Sequence, residues 1–327
     1  MRVLVAGGTG AIGRRLVPEL VHGGHEVTVL GRSSERLRAA ARAGADAVEC
    51  DVLDSDAVVR AVGDAAPDAI VNVLTRLPER LKPRRLADVY ARNDEVRRVG
   101  GDNLLRAARA SGVARVVVQS AAYWYAPGAP GPRTEDDPFF VDAPEPIGTA
   151  VRTMQAAERA ALQSGLEVVI LRYGMFYGPG TWYSADGDVG RQVRARAFPL
   201  VGSGDGVFSF VHVDDAARAT ALAVTGPAGV YNVVDDDPAR VAEWLPAFAD
   251  ALGARPPRRV PVWLARIAAG DAMVTWMQQV PGADNQRARE QLGWTPRYAS
   301  WRDGFRRGLA DPEPATPRDR THAGDGR

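Results

Sequence analysis

The chain is predicted to fold as an α/β protein on a doubly wound parallel sheet. Short apolar runs alternate with amphipathic stretches through its first half, the rhythm of strand, helix, strand. The runs are rich in Val and Ile without in-out alternation, as strands covered on both faces are. The first run also ends in a glycine-rich turn that opens a helix. In order, the runs are Val3–Ala6, Val27–Leu30, Ala47–Glu49, Ala69–Leu74, Arg115–Gln119 and Glu167–Leu171, with helical patterns at 11–22, 34–43, 54–63, 84–111 and 147–164. After Arg172 the rhythm changes, and Gly, Pro and aromatics cluster over 173–187. Val207–Val211, Asp214–Val224 and Val230–Val234 read as one further strand, helix and strand, and 239–310 as helical with proline breaks. From 311 the chain is polar, Pro-rich and aperiodic, a composition expected to stay disordered.

Composition sets outer bounds. A length of 327 residues suits two folding units or one large unit with an elaborated half. The net charge of +1 gives no strong attraction to nucleic acid or anionic membrane. Cys50 is the only cysteine, so an intrachain disulfide is impossible and a reducing, cytoplasmic setting is expected. No run approaches the roughly 20 apolar residues of a membrane span, and no secretory signal is read at the start. No His/Cys/Asp/Glu cluster has metal-ligand spacing, so no metal is expected.

Gly7, Gly10 and Gly13 give G-x-x-G-x-x-G at the end of the first strand. The first permits the tight turn, the second lets backbone approach a pyrophosphate, and the third lets helix pack on strand. Together with Thr9, Ala11 and Ile12 they present a helix N-terminus, with its free N–H groups, to a dinucleotide. An NAD-selective fold ends its second strand with an acid for the ribose 2′-hydroxyl. This chain places Arg32 there, whose fork suits a 2′-phosphate, with Arg14 close by. NADP(H) is therefore expected in preference to NAD(H), the alternative being two solvated surface arginines. Asp51 and Val52 follow the third strand and are expected at the adenine; for Asp51 a helix cap is the alternative.

Several segments together resemble the extended short-chain dehydrogenase/reductases, the NAD-dependent epimerase/dehydratase group. They are GGTGAIG (7–13), NLLRAARASGVARVVVQSAA (103–122), LRYGMFYGPG (171–180), FVHVDDAARA (210–219), GVYNVVDD (229–236) and LGWTPRY with WRDGF within 292–305. The resemblance implies a Rossmann sheet of about seven strands over 1–172, with 207–234 returning to it. It also implies a small substrate cap from 173–206 and 235–310, a small-molecule substrate, and a homodimer through the helices at 84–111 and 147–164.

Active members of that family use a Ser or Thr with Tyr-x-x-x-Lys. Here the hydroxyl position falls on Ala121, with Ser120 one place early. Alignment on Glu158 puts Ala150 at the Tyr and Met154 at the Lys. The only lysine in the chain is Lys82, and Pro78 stands four before it, so the motif occurs nowhere. In active members the lysine cation lowers a phenol pKa of about 10 into a useful range; Met154 has no charge and Ala150 no proton. Replacement acid/base groups are expected among Tyr125, Tyr173 and Tyr177, with Ser120 as a hydrogen-bond donor, and Tyr173 is also expected beside the nicotinamide; for each tyrosine the alternative is that it only lines or walls the pocket. His212 is expected to cap a helix, Asn93 to hold backbone near the fifth strand, and Trp182 and Tyr183 to form a lid or cap core. Three functions stay open: an oxidoreductase or epimerase with replaced groups, a redox-neutral isomerase or cyclase, and a non-catalytic dinucleotide-binding regulator.

Overall fold

The computed structural model describes residues 1–80 and 85–311. Its central sheet has seven parallel strands. They are β1 (Arg2–Ala6), β2 (Glu26–Gly31), β3 (Asp46–Glu49), β4 (Ala69–Asn72), β5 (Arg115–Ala121), β6 (Glu167–Tyr173) and, late in the chain, Gly229–Val233. Helices α1 (Gly13–His22), α2 (Ser34–Arg42) and α3 (Ser55–Ala65) connect the first four. α4 (Leu86–Glu95) then runs through a π-helical turn, Val96–Gly100, into α5 (Gly101–Ala110), and α6 (Ile147–Leu162) precedes β6. The fold class and the strand count thus follow the expectation.

Side chains of β1 alternate between two cores. Val3 and Val5 pack with Leu16, Val17 and Leu20 of α1, while Leu4 and Ala6 pack with Val58, Val62, Leu104 and Ala108 from α3 and α5. Both faces are covered, so both sets of side chains are apolar. The spatial order β3-β2-β1-β4-β5-β6 reverses direction between β1 and β4. Such a reversal opens a crevice at the strand C-termini, where these sheets bind ligands.

Beyond β6 the chain builds the cap with β7 (Met175–Tyr177), α7 (Asp188–Arg194), β8 (Leu200–Val201), β9 (Val207–Phe208) and β10 (Phe210–His212). α8 (Val213–Ala223) and β11 (Gly229–Val233) then return to the large sheet, beside β6. The run at 207–211 does not join that sheet. It is broken at Ser209, whose hydroxyl holds both backbone groups of Ala283, so β9 pairs with β12 (Ala239–Arg240) and β10 with β7. The rest of the cap is α9 (Val241–Ala251), β13 (Arg259–Val260), α10 (Val262–Ala269), α11 (Asp271–Gln279), α12 (Gln286–Gln291) and α13 (Trp301–Arg307). Its core is aromatic: Phe208, Phe210, Trp244, Phe248, Trp276 and Phe305 pack ring to ring. Such pairs add specific geometry to their area burial. Among the described residues no helix is long and apolar enough to cross a membrane. The expected tail lies outside the described residues after Asp311, which pairs with Arg15.

Candidate active site

The clasp sits at the reversal between β1 and β4. Gly7 has φ +95°, and a Cβ there would come within 2.7 Å of the Val73 carbonyl. A Cβ on Gly13 would press into Gly7 and Gly8 backbone at 2.4–2.5 Å, so only glycine lets α1 start there. Gly10 differs: a Cβ would meet only the Gly7 carbonyl, at 3.3 Å, and otherwise open space. Nothing in the protein demands glycine as strongly at position 10, which fits a cradle kept clear for a diphosphate. Ile12 stands at the N-cap of α1 without a side-chain cap; Arg14 and Arg15 N–H groups bond the Gly10 and Ile12 carbonyls, and among the described residues those of Ala11, Ile12 and Gly13 take no backbone partner, as a helix start that receives a phosphate offers.

At the adenine end, Arg32 is exposed and pairs with no described residue, while Arg14 donates to the Thr9 carbonyl at 3.2 Å. Asp54, not Asp51, caps α3, accepting from the Asp56 and Ala57 N–H groups, both at 3.0 Å. Asp51 stays exposed, and among the described residues its carboxylate accepts only from Leu53 N. Val52 is buried, its carbonyl taking the Asn103 amide at 2.9 Å. These residues can hold a dinucleotide, which brings hydride chemistry when bound.

At the catalytic end, Ala121 closes β5, and Ala150 and Met154 lie one helical turn apart on α6. All three are buried. Ser120, next to Ala121, is buried with its Oγ unpartnered among the described residues.

The three tyrosines expected to replace the triad make their hydrogen bonds and ring contacts with other partners than Ala121, Ala150 and Met154. Tyr125 donates to Asn232 Oδ1 at 2.7 Å and accepts from Arg172 Nη1 at 2.9 Å, stacked on Phe139. Tyr173 packs toward α8 with its hydroxyl 2.6 Å from Thr220 Oγ1. Thr220 gives its own proton to the Ala216 carbonyl, so Tyr173 donates to it. Tyr177 sits among His212, Phe210 and Phe305, its hydroxyl against Gly304, where a Cβ would lie 1.9 Å away. Burial pushes all three phenols well above their usual value. Buried phenols with raised pKa values are poor proton donors at neutral pH.

His212 does cap α8, accepting from Asp214 N at 3.2 Å through Nδ1. Its Nε2 then donates to the Gly308 carbonyl at 2.9 Å. Asn93 holds the Arg76 N–H at 2.9 Å, behind β4 rather than near β5. Trp182 donates to the Pro78 carbonyl at 2.9 Å, joining cap to β4 loop, and Tyr183 is cap core. Among the described residues no group of three metal-ligating side chains converges.

The residue that the sequence did not single out is Arg97. It projects from the π-helical turn and donates through Nη1 to the Met154 sulfur at 3.0 Å. The cation is thus carried to the lysine position from a different helix. Tyr123 and Asp94 lie near it, Tyr90 is next to both of these, and Tyr123 packs edge-on to Trp124 at 4.9 Å. Burial pushes the Asp94 carboxyl up to about 6, against the pull of Arg97. Read as one helix over 84–111, Arg97 and Arg98 look like solvated charges. Arg97 follows Leu86, Tyr90 and Asn93 at helical spacing, on the face those residues turn inward, and it stands in a π turn, a feature that gathers at functional sites.

The family model described as "NAD dependent epimerase/dehydratase family" matches residues 3–233. A Streptomyces protein named 3-diazoavenalumate denitrifying reductase is 45% identical over 309 residues, 94% of this chain and 100% of that protein. UDP-glucose 4-epimerase of Corynebacterium glutamicum is 27% identical over 92% of this chain and 93% of its own. Among solved structures, Thermus thermophilus UDP-glucose 4-epimerase in complex with NAD superposes with TM-score 0.73, at 26% identity over 94% of this chain and 98% of that one. Streptomyces venezuelae dTDP-glucose 4,6-dehydratase with NAD bound gives 0.74, at 26% identity over 94% and 96%. The glycine cradle at the sheet reversal, the cap and these matches place the chain in the NAD-dependent epimerase/dehydratase family.

Proposed function

We propose that the protein is an NADP(H)-dependent reductase of a small aromatic acid whose reducible group needs no proton from the enzyme. The observation that carries this reading is the apolar wall of Ala121, Ala150 and Met154. A carbonyl that accepts hydride becomes an alkoxide and must be protonated, and none of these three side chains can supply a proton. A cationic acceptor is neutralised by hydride and has no such need. An aryl diazonium is one: gaining hydride at its terminal nitrogen, it becomes a neutral aryldiazene. The aryl carbon–nitrogen bond then breaks, N2 leaves, and the hydrogen ends on the ring carbon, so one diazonium and one hydride give one arene and one N2. The name of the Streptomyces relative, a denitrifying reductase of a diazo acid, supports the reading.

Arg32 supports NADP(H) over NAD(H), since an exposed guanidinium with no partner among the described residues suits a 2′-phosphate. The family resemblance supports a homodimer through α4, α5 and α6, which sedimentation tests. The single, buried Cys50 suits a reducing cytoplasm. The deciding experiment supplies NADPH and an arenediazonium bearing an acrylate side chain, and follows N2 release with cofactor absorbance. One N2 per NADPH consumed is expected. Turnover of ketones or sugar nucleotides with none of the diazo acid would overturn the reading, and no turnover of any would favour a regulator.

A further inference from the structure

We propose that Arg97 is an anion anchor of the reaction chamber, taking a carboxylate or phenolate oxygen of an aromatic substrate beside the Met154 wall. The proposal rests on the reductase reading for the substrate's aromatic character, and on geometry for the anion.

Arg97 is half-buried, its Nε fully enclosed and without a partner among the described residues. Among the described residues its one hydrogen bond goes to a thioether sulfur, a weak acceptor, at 3.0 Å. Among the described residues no carboxylate stands within ion-pair distance: Asp94 is near but unbonded, with its own Oδ2 orphaned. A guanidinium carries five donors and stays charged in proteins. Leaving it enclosed with one weak acceptor is costly unless a ligand completes it.

The surroundings favour an aromatic anion over a free phosphate. The Tyr123, Trp124, Trp276 and Tyr90 rings form one cluster, with centroid separations of 4.9–6.2 Å, that comes near the guanidinium at Tyr123. Gln119 Oε1, also orphaned, lines the same narrow cleft between α5 and α6 as Arg97 and Met154.

Calorimetry on the NADP+-loaded protein tests this with three unreactive probes: 4-hydroxycinnamate, cinnamate and cinnamamide. Wild type is expected to bind at least one of the two acids better than the amide. Arg97→Met should weaken that binding by roughly 10- to 100-fold, the range for hydrogen bonds to a charged group, and Arg97→Lys should fall between. Loss between cinnamate and cinnamamide identifies the carboxylate as the anchored group; loss between 4-hydroxycinnamate and cinnamate identifies the phenol oxygen. NADPH affinity serves as the folding control for both variants. Equal binding of the probes by wild type and Arg97→Met, or binding of no probe by wild type, overturns the anchor. Arg97-dependent binding without N2 release would keep the anchor and overturn the reductase reading, and N2 release untouched in Arg97→Met would do the reverse.

Discussion

Arg172 and Glu158 meet in the interior through two hydrogen bonds, Nη2 to Oε2 at 2.7 Å and Nε to Oε1 at 2.9 Å. The pair ties the end of β6 to α6, and so fixes the helix face that carries Ala150 and Met154. The remaining guanidinium nitrogen reaches the Tyr125 hydroxyl and the Glu135 carbonyl, both at 2.9 Å. Tyr125 therefore belongs to a buried scaffold rather than to the reaction.

Glu158→Ala should destabilise the fold by about 3–5 kcal/mol, because it leaves a buried guanidinium without its charge partner. Tyr125→Phe removes two buried hydrogen bonds, one to Asn232 and one from Arg172, and should cost about 1–3 kcal/mol in denaturant melts. Turnover in Tyr125→Phe should stay near wild type. A fall of about 10²-fold or more would return Tyr125 to the role of general acid.

Much of the sheet was legible because strands buried on both faces leave a run of branched apolar residues, as at Leu4, Val5 and Ala6. The clasp was legible because glycine is forced at 7 and 13 by backbone contact. The missing triad was legible as three apolar letters at fixed spacing. What was not legible depends on long-range packing. Whether a tyrosine faces a chamber or a core cannot be read from its place after a strand: Tyr173 turns to Thr220, 47 residues away. Arg97 was hidden for a second reason. The pattern of 84–111 reads as an ordinary amphipathic helix, on which an arginine looks like a solvated charge, and its partner Met154 is 57 residues away.

Arg32→Ala should weaken NADPH binding by about 10-fold, the low end for a charge-assisted contact at an exposed site, and leave NADH unchanged. Titration of both cofactors checks this; equal loss of both would detach Arg32 from the 2′-phosphate. Gly10→Val should block both cofactors while the melting temperature holds, since a side chain there meets little protein.

Restoring the missing groups should require removing Arg97. An ammonium at 154 would lie against its guanidinium, and two like charges at that spacing disfavour each other. Ala121→Ser, Ala150→Tyr and Met154→Lys combined with Arg97→Asn should give weak carbonyl reduction with NADPH. The same set with Arg97 retained should give less, because the restored groups act as a unit. Equal activity with and without Arg97 would separate it from the lysine position.

His212 gives the cap a defined acid response. Burial holds its imidazole below the usual 6.5, with the Gly308 carbonyl and Asp214 opposing that. The folded state therefore takes up the proton less readily than the unfolded chain. Stability from this group is fully present above about pH 6.5 and is lost as pH falls through that value, ceasing to change below the folded pKa. Protonation also removes the acceptor that Nδ1 offers to Asp214 N, so the N-cap of α8 is lost in the same step. His212→Asn keeps a cap acceptor and cannot titrate. Between pH 7.5 and 5.5, wild type should lose more unfolding free energy than His212→Asn, the carboxylates being common to both. Parallel curves for the two proteins would show that the imidazole is not the group that responds.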